Sequence, residues 1–143
     1  MKVIENFLPT EEFNTLKNVM TGRSFPWFLY KGVNHELDNY YQFCHIFYRH
    51  HKPATTDYHL SIINPILEKL KVVSLLRIKA NLLYKSNKII KHGYHTDFDN
   101  LNNKTSIFYV NSNNGYTLFK NGKKIKSKEN TLYGQRIQDS NKF

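Results

Sequence analysis

The chain has 143 residues, with 21 Lys or Arg against 11 Asp or Glu and a formal net charge of +10. Hydrophobic residues make up 40% and aromatic residues 15%, which excludes a disordered chain and allows one domain with a substantial core. The lone Cys44 excludes an internal disulfide, no apolar run approaches the roughly 20 residues that span a bilayer, and the N-terminus meets Glu5 without a signal-like apolar region. The expectation is a cytoplasmic protein with no membrane contact.

The positive balance invites a nucleic-acid partner. Against this, Lys far outnumbers Arg and the lysines are scattered, clustering only between Lys120 and Lys128. Asn, Ile, Tyr and Phe are also abundant, a profile that AT-rich coding imposes by itself. Dispersed charge supplies only non-specific attraction, so nucleic acid is not the expected partner.

In chain order, residues 3–8 read as a short strand ending at Pro9. Thr10 is placed to cap a helix, with Glu11 and Glu12 in the first turn, where the helix dipole favours them. Phe13, Leu16 and Met20 recur on one face of that helix, and Gly22 ends it. Residues 24–30 are aromatic and extended, and residues 34–39 form a polar loop.

Residues 41–48 form an aromatic-rich strand. Tyr41, Phe43, His45 and Phe47 share one face; Gln42, Cys44, Ile46 and Tyr48 share the other. His45 among aromatics reads first as a hydrogen-bonded core histidine, and second as a reserve metal ligand. His50 and His51 fall in a loop. Asp57 is placed to cap a second helix whose buried side is Leu60, Ile63, Leu67 and Leu70. Pro65 should interrupt this helix, with Asn64 recapping it and Pro65 at the first helical position. Residues 74–84 read as a strand with Leu76, Ile78, Ala80 and Leu82 on one face, and Arg77, Lys79, Asn81 and Leu83 on the other.

A Lys- and Asn-containing connection then leads into His95-Thr96-Asp97. On an extended segment His95 and Asp97 point the same way. One imidazole and one carboxylate on a single face are two-thirds of the 2-His-1-carboxylate arrangement that holds non-haem Fe(II). Residues 99–103 form a turn cluster, residues 105–111 a strand and residues 112–115 a turn. The runs 116–120 and 123–126 flank Asn121-Gly122, the strongest short hairpin signal. Residues 131–133 start another strand, and residues 134–143 are polar without a period. The chain reads as a single α+β domain: residues 1–73 as helix and strand support, 74–133 as the β core and 134–143 as an irregular tail.

From Arg77 to Leu132 the sequence resembles the 2-oxoglutarate- and Fe(II)-dependent oxygenases, in particular their prolyl-4-hydroxylase-like branch. The residues that carry the resemblance are His95-Thr96-Asp97, the run from Lys104 to Asn111, and Gly115-Tyr116-Thr117-Leu118-Phe119, which matches a Gly-x-Thr-x-Phe hairpin strand. Lys128-Glu129-Asn130-Thr131-Leu132 matches the strand entry beyond it. Asn6-Phe7-Leu8 with its helix, and Pro26-Trp27, are similar too.

The resemblance implies a double-stranded β-helix (jelly-roll, cupin-like) with N-terminal helices. It also implies Fe(II) and 2-oxoglutarate as cofactors, with ascorbate as an auxiliary, and a peptide or small-molecule substrate. By the same resemblance His95 and Asp97 are metal ligands, and Asn81 and Tyr109 are inward-facing contacts for 2-oxoglutarate or for the ligands.

The family carries a distal His and a 2-oxoglutarate-binding Arg or Lys on two later strands. No His follows His95 here, and Arg136 is the only later Arg. The C-terminal core strands are therefore expected to be missing, as in a truncated or frame-shifted form of a longer parent, to be supplied by a second copy, or to be replaced by a rearranged sheet that uses residues 131–142 differently. Exposed sheet edges would favour self-association. The alternative function is a non-catalytic binding or self-associating module.

Overall fold

The computed structural model describes residues 2–33, 38–95 and 104–134. The architecture is α+β, with antiparallel sheets and short helices, and the described strands close no barrel. The chain divides into two compact units: residues 1–17 with 96–143, and residues 18–95.

In the first unit, β1 (Lys2–Ile4), β9 (Thr131–Gly134) and β6 (Ser106–Tyr109) form an antiparallel sheet in the order β1-β9-β6. β9 is central, and all of its residues are buried. Helix α1 (Thr10–Thr21) begins in this unit and ends in the second. Its Phe13 and Leu16 are buried, as are Phe7, Leu8 and Leu132. Phe108 sits edge-on to Phe7 and Phe13, with centroids 6.1 and 6.2 Å apart. Full burial of each such side chain stabilises by about 2 kcal/mol.

β1 stops earlier than the expected strand over residues 3–8. Asn6 adopts a left-handed conformation, φ 49°, and turns the chain. That turn lets Phe7 N–H donate to Asn130 O at 2.9 Å and presents Leu8 to the Asn130 side chain. α1 likewise begins one residue before the position a Thr10 cap implies, because Phe13 N–H already bonds the Pro9 carbonyl.

β7 (Tyr116–Leu118) and β8 (Lys124–Lys126) form the Asn-Gly hairpin, with Tyr116 opposite Lys126 and Leu118 opposite Lys124. Gly122 sits at φ 83°, which a side chain would oppose. Phe119 and Lys123 close the loop through the 2.9 Å bond from Phe119 N–H to Lys123 O.

In the second unit, β3 (Tyr41–Arg49) is the centre of its sheet. β5 (Arg77–Leu82) runs along one side; β2 (Phe28–Lys31) and then β4 (Lys52–Pro53) run along the other. The register with β5 shifts between Ile46 and Tyr48 of β3. Buried Phe25, Cys44, Phe47, Ile62 and Ile63 make this unit's core, and Met20 contributes from α1.

The second helical stretch is interrupted, as Pro65 requires, into α2 (Asp57–Ser61) and α3 (Asn64–Lys69). The cap of α2 is Thr56 and not Asp57: Thr56 Oγ1 accepts the His59 N–H at 3.3 Å. Asn64 lies inside α3 after an Ile63 cap that makes no side-chain bond. Ile63 is buried, whereas Leu60, Leu67 and Leu70 are only half-buried. Among the described residues no helix is long and apolar enough to cross a membrane.

Candidate functional site

His95 ends the non-strand segment that follows β5, and its side chain is exposed. Its proposed partner Asp97 lies outside the described residues, as do the turn cluster at residues 99–103 and most of the C-terminal tail. Three residues upstream of His95, the His92 ring meets Tyr40 edge-on at 5.0 Å. His92 Nδ1 is buried with no hydrogen-bond partner among the described residues.

His45, the reserve ligand, is only 2% exposed. Its Nδ1 lies 2.8 Å from Pro26 O and its Nε2 3.0 Å from Thr55 Oγ1. A carbonyl can only accept, so Nδ1 carries the hydrogen. The neutral ring then accepts the Thr55 hydroxyl at Nε2. Phe25 packs against the imidazole at 4.5 Å, Phe47 also at 4.5 Å, and His59 at 5.7 Å. Burial lowers the His45 pKa below its ordinary value; the bond to Pro26 opposes this and the electrostatic influence of neighbouring His59 adds to it. With both nitrogens engaged by protein oxygens, the arrangement is that of a core histidine.

Asn81 lies on β5 opposite Cys44 and is exposed, where an inward position was expected. Its Oδ1 accepts from Cys44 Sγ at 3.4 Å. Tyr109 is half-buried on β6, and its hydroxyl donates to Thr117 Oγ1 at 2.8 Å. Burial raises the Tyr109 pKa, the Thr117 hydroxyl opposes the shift, and Tyr133 adds to it. The partner that a buried phenol needs is thus supplied by the neighbouring hairpin strand.

Among the described residues no three His, Cys, Asp or Glu side chains gather into a metal-holding group. Among the described residues, open grooves lie within each unit. One, of about 340 Å³, is lined by Tyr48, His51, Leu67 and Val72–Leu75; the other, of about 430 Å³, lies beside β8. Neither contains His45, Asn81, His95 or Tyr109.

Two features had no counterpart in the sequence reading. Asn130 (φ 51°) bonds both backbone groups of Leu8 through its side chain. The only local hint is its residue type, since Asn tolerates the left-handed region better than other side chains. The second feature is the alignment of Lys124 with Tyr116, which follows from hairpin register and not from the lysine count.

The described elements define an α+β protein with antiparallel sheets. Comparison with protein-family models, curated proteins and solved structures finds no match for the chain.

Proposed function

We propose that the chain derives from Fe(II)- and 2-oxoglutarate-dependent hydroxylases built on a double-stranded β-helix, and that His95 and Asp97 are its metal-binding pair. The observation that carries this reading is the order of motifs along the chain: His-x-Asp, then the Gly-x-Thr-x-Phe strand of an Asn-Gly hairpin, then the strand entered at Asn130. His95 and Asp97 supply two donors of the three that such a centre uses. Asn81 and Tyr109 remain the proposed contacts for 2-oxoglutarate or the ligands, although Asn81 is engaged with Cys44 and Tyr109 with Thr117. A two-donor grip is weak, and the reading expects weak Fe(II) affinity and little or no turnover unless a third donor comes from another chain.

The test is Fe(II) titration by calorimetry, together with succinate release from 2-oxoglutarate. His95→Ala and Asp97→Ala should each abolish the Fe(II) heat. Equal Fe(II) binding by parent and both variants would refute the metal assignment.

A second reading, a non-catalytic self-associating module, is favoured by β2. This strand pairs only with β3 among the described residues. It exposes Phe28 and Leu29 by 58% and 61%. An apolar edge strand is a template for pairing with another chain. Sedimentation that gives a monomer at every concentration would remove this reading.

A further inference from the structure

We infer that the exposed face of the β7–β8 hairpin is a binding strip for single-stranded nucleic acid, recognised through its phosphates and one stacked base. This inference is independent of the metal reading. Hairpin register puts Tyr116, Leu118, Lys124 and Lys126 on one face, since Tyr116 pairs with Lys126, Leu118 with Lys124, and buried Ile125 occupies the opposite face with Thr117. Lys128 lies two residues beyond the end of β8 and is exposed.

Lysines spaced by two residues in extended chain stand about 6.6 Å apart, a pitch that suits consecutive phosphates of an extended strand. The three lysines border the groove of about 430 Å³, which Ser112, Ile125 and Ser127 also line and from which Tyr116 and Leu118 are absent. Few carboxylates compete there. Glu5 also borders the groove and pairs with Lys128, while Glu129 is turned to Lys17. Lys126 has no carboxylate partner among the described residues. Lys124 Nζ stands 3.8 Å from the Tyr116 ring centroid. That contact seats the ammonium over one face of the half-buried Tyr116 ring without neutralising it, so the stacked base would take the other face.

A basic edge joined to an aromatic ring is the arrangement by which sequence-tolerant single-strand binders work, with backbone charge supplying attraction and the ring supplying stacking. A duplex would hold its bases away from Tyr116. Inorganic phosphate would engage the lysines without stacking.

The test uses the full chain and fluorescent single-stranded oligo(dT) and oligo(U) in anisotropy titrations across a salt series. Three phosphate contacts give a logarithmic salt slope of about −2 for a single strand, or roughly 20-fold weaker binding at 200 than at 50 mM salt. The Lys124→Gln, Lys126→Gln, Lys128→Gln triple variant should lose most of the affinity and flatten that slope. A charge-matched control, with exposed Lys71, Lys85 and Lys88 changed to Gln, should keep both. Tyr116→Ala should weaken binding about tenfold, the worth of one stacked base, at an unchanged slope. Lys126→Glu alone is a second, minimal perturbation, and far-ultraviolet circular dichroism checks that each variant is folded. Equal losses in the hairpin and control triples would overturn the inference, because the attraction would then be the net charge of the chain. So would absence of single-strand binding at 50 mM salt, duplex binding as tight as single-strand binding, or competition by inorganic phosphate at equal molarity.

Discussion

Asn130→Ala is expected to be among the most destabilising single substitutions in the first unit. Asn130 is only 8% exposed and holds φ 51°. Its Oδ1 accepts Leu8 N–H at 2.8 Å and its Nδ2 donates to Leu8 O at 2.9 Å, so one side chain satisfies both backbone groups of a residue 122 positions away. Leu8 itself is 2% exposed, so water does not readily replace the lost amide. A buried backbone group left unpaired costs about 1–3 kcal/mol. Two such groups, plus about 1 kcal/mol for Ala in the left-handed region, give a loss of about 3–7 kcal/mol, a large share of the about 5–15 kcal/mol that holds a domain folded. Asn130→Gly loses the same two bonds without the backbone penalty, and should unfold about 1 kcal/mol later than the Ala variant. Asn130→Asp keeps the acceptor but sets a carboxylate against Leu8 O, so it should recover stability on acidification, when the acid becomes a donor. Urea unfolding followed by far-ultraviolet circular dichroism reads these losses. Trp27, the only tryptophan, lies in the other unit, and its fluorescence separates the two units if they unfold apart. Ala and Gly variants both within about 0.5 kcal/mol of the parent would refute the claim that this side chain staples Leu8 to the entry of β9.

His45 gives a pH dependence of defined sign. Its folded pKa lies below its unfolded value of about 6.5, so the unfolded chain binds the proton more readily. Its contribution to stability is complete above about pH 6.5 and is lost as pH falls through the lowered folded value. His45→Gln should flatten the fall in urea midpoint between about pH 7.5 and pH 5; an unchanged acid limb would show that another group governs it. Gly122→Val should cost about 1–2 kcal/mol through its positive φ alone, since a Cβ there meets nothing within 4 Å. Thermal melts of Gly122→Val and Gly122→Asn check this. The Asn variant should be the milder, and equal stability of all three chains would count against a left-handed Gly122.

The elements legible from the sequence are those whose local pattern and tertiary burial agree. Phe13, Leu16 and Met20 recur at helical spacing and are all buried; Asn121-Gly122 forms the hairpin because only Gly holds its φ cheaply. What was misread was decided elsewhere in the chain. Thr56 and Asp57 are both able to cap, and the choice between them is one residue of register. The early end of β1 answers Asn130, which no local window around Asn6 contains. Alternation assigned Asn81 to a face of β5 but not which face is covered. For His45 the aromatic neighbours were readable, while the oxygens of Pro26 and Thr55 that occupy its ring come from other elements. His-x-Asp was readable as chemistry because two donors suffice to suggest a metal. The third donor is a matter of tertiary placement.

The residues behind the functional proposal are held by different forces, and this makes the proposal separable from stability. β9 is flanked by β1 and β6 and wholly buried, and its entry is stapled by Asn130. Substitutions there destabilise whatever the protein does, so loss of a function in such variants carries no information about chemistry. His95 is the opposite case: it is exposed and lies on a segment outside the described strands. An exposed substitution away from caps, cavities and strained backbone shifts stability by no more than about 0.5 kcal/mol. His95→Ala should therefore unfold at the parent's urea concentration while losing Fe(II) affinity. A loss of metal affinity accompanied by a large loss of stability would instead make His95 a structural residue, and would leave Asp97 without its proposed partner.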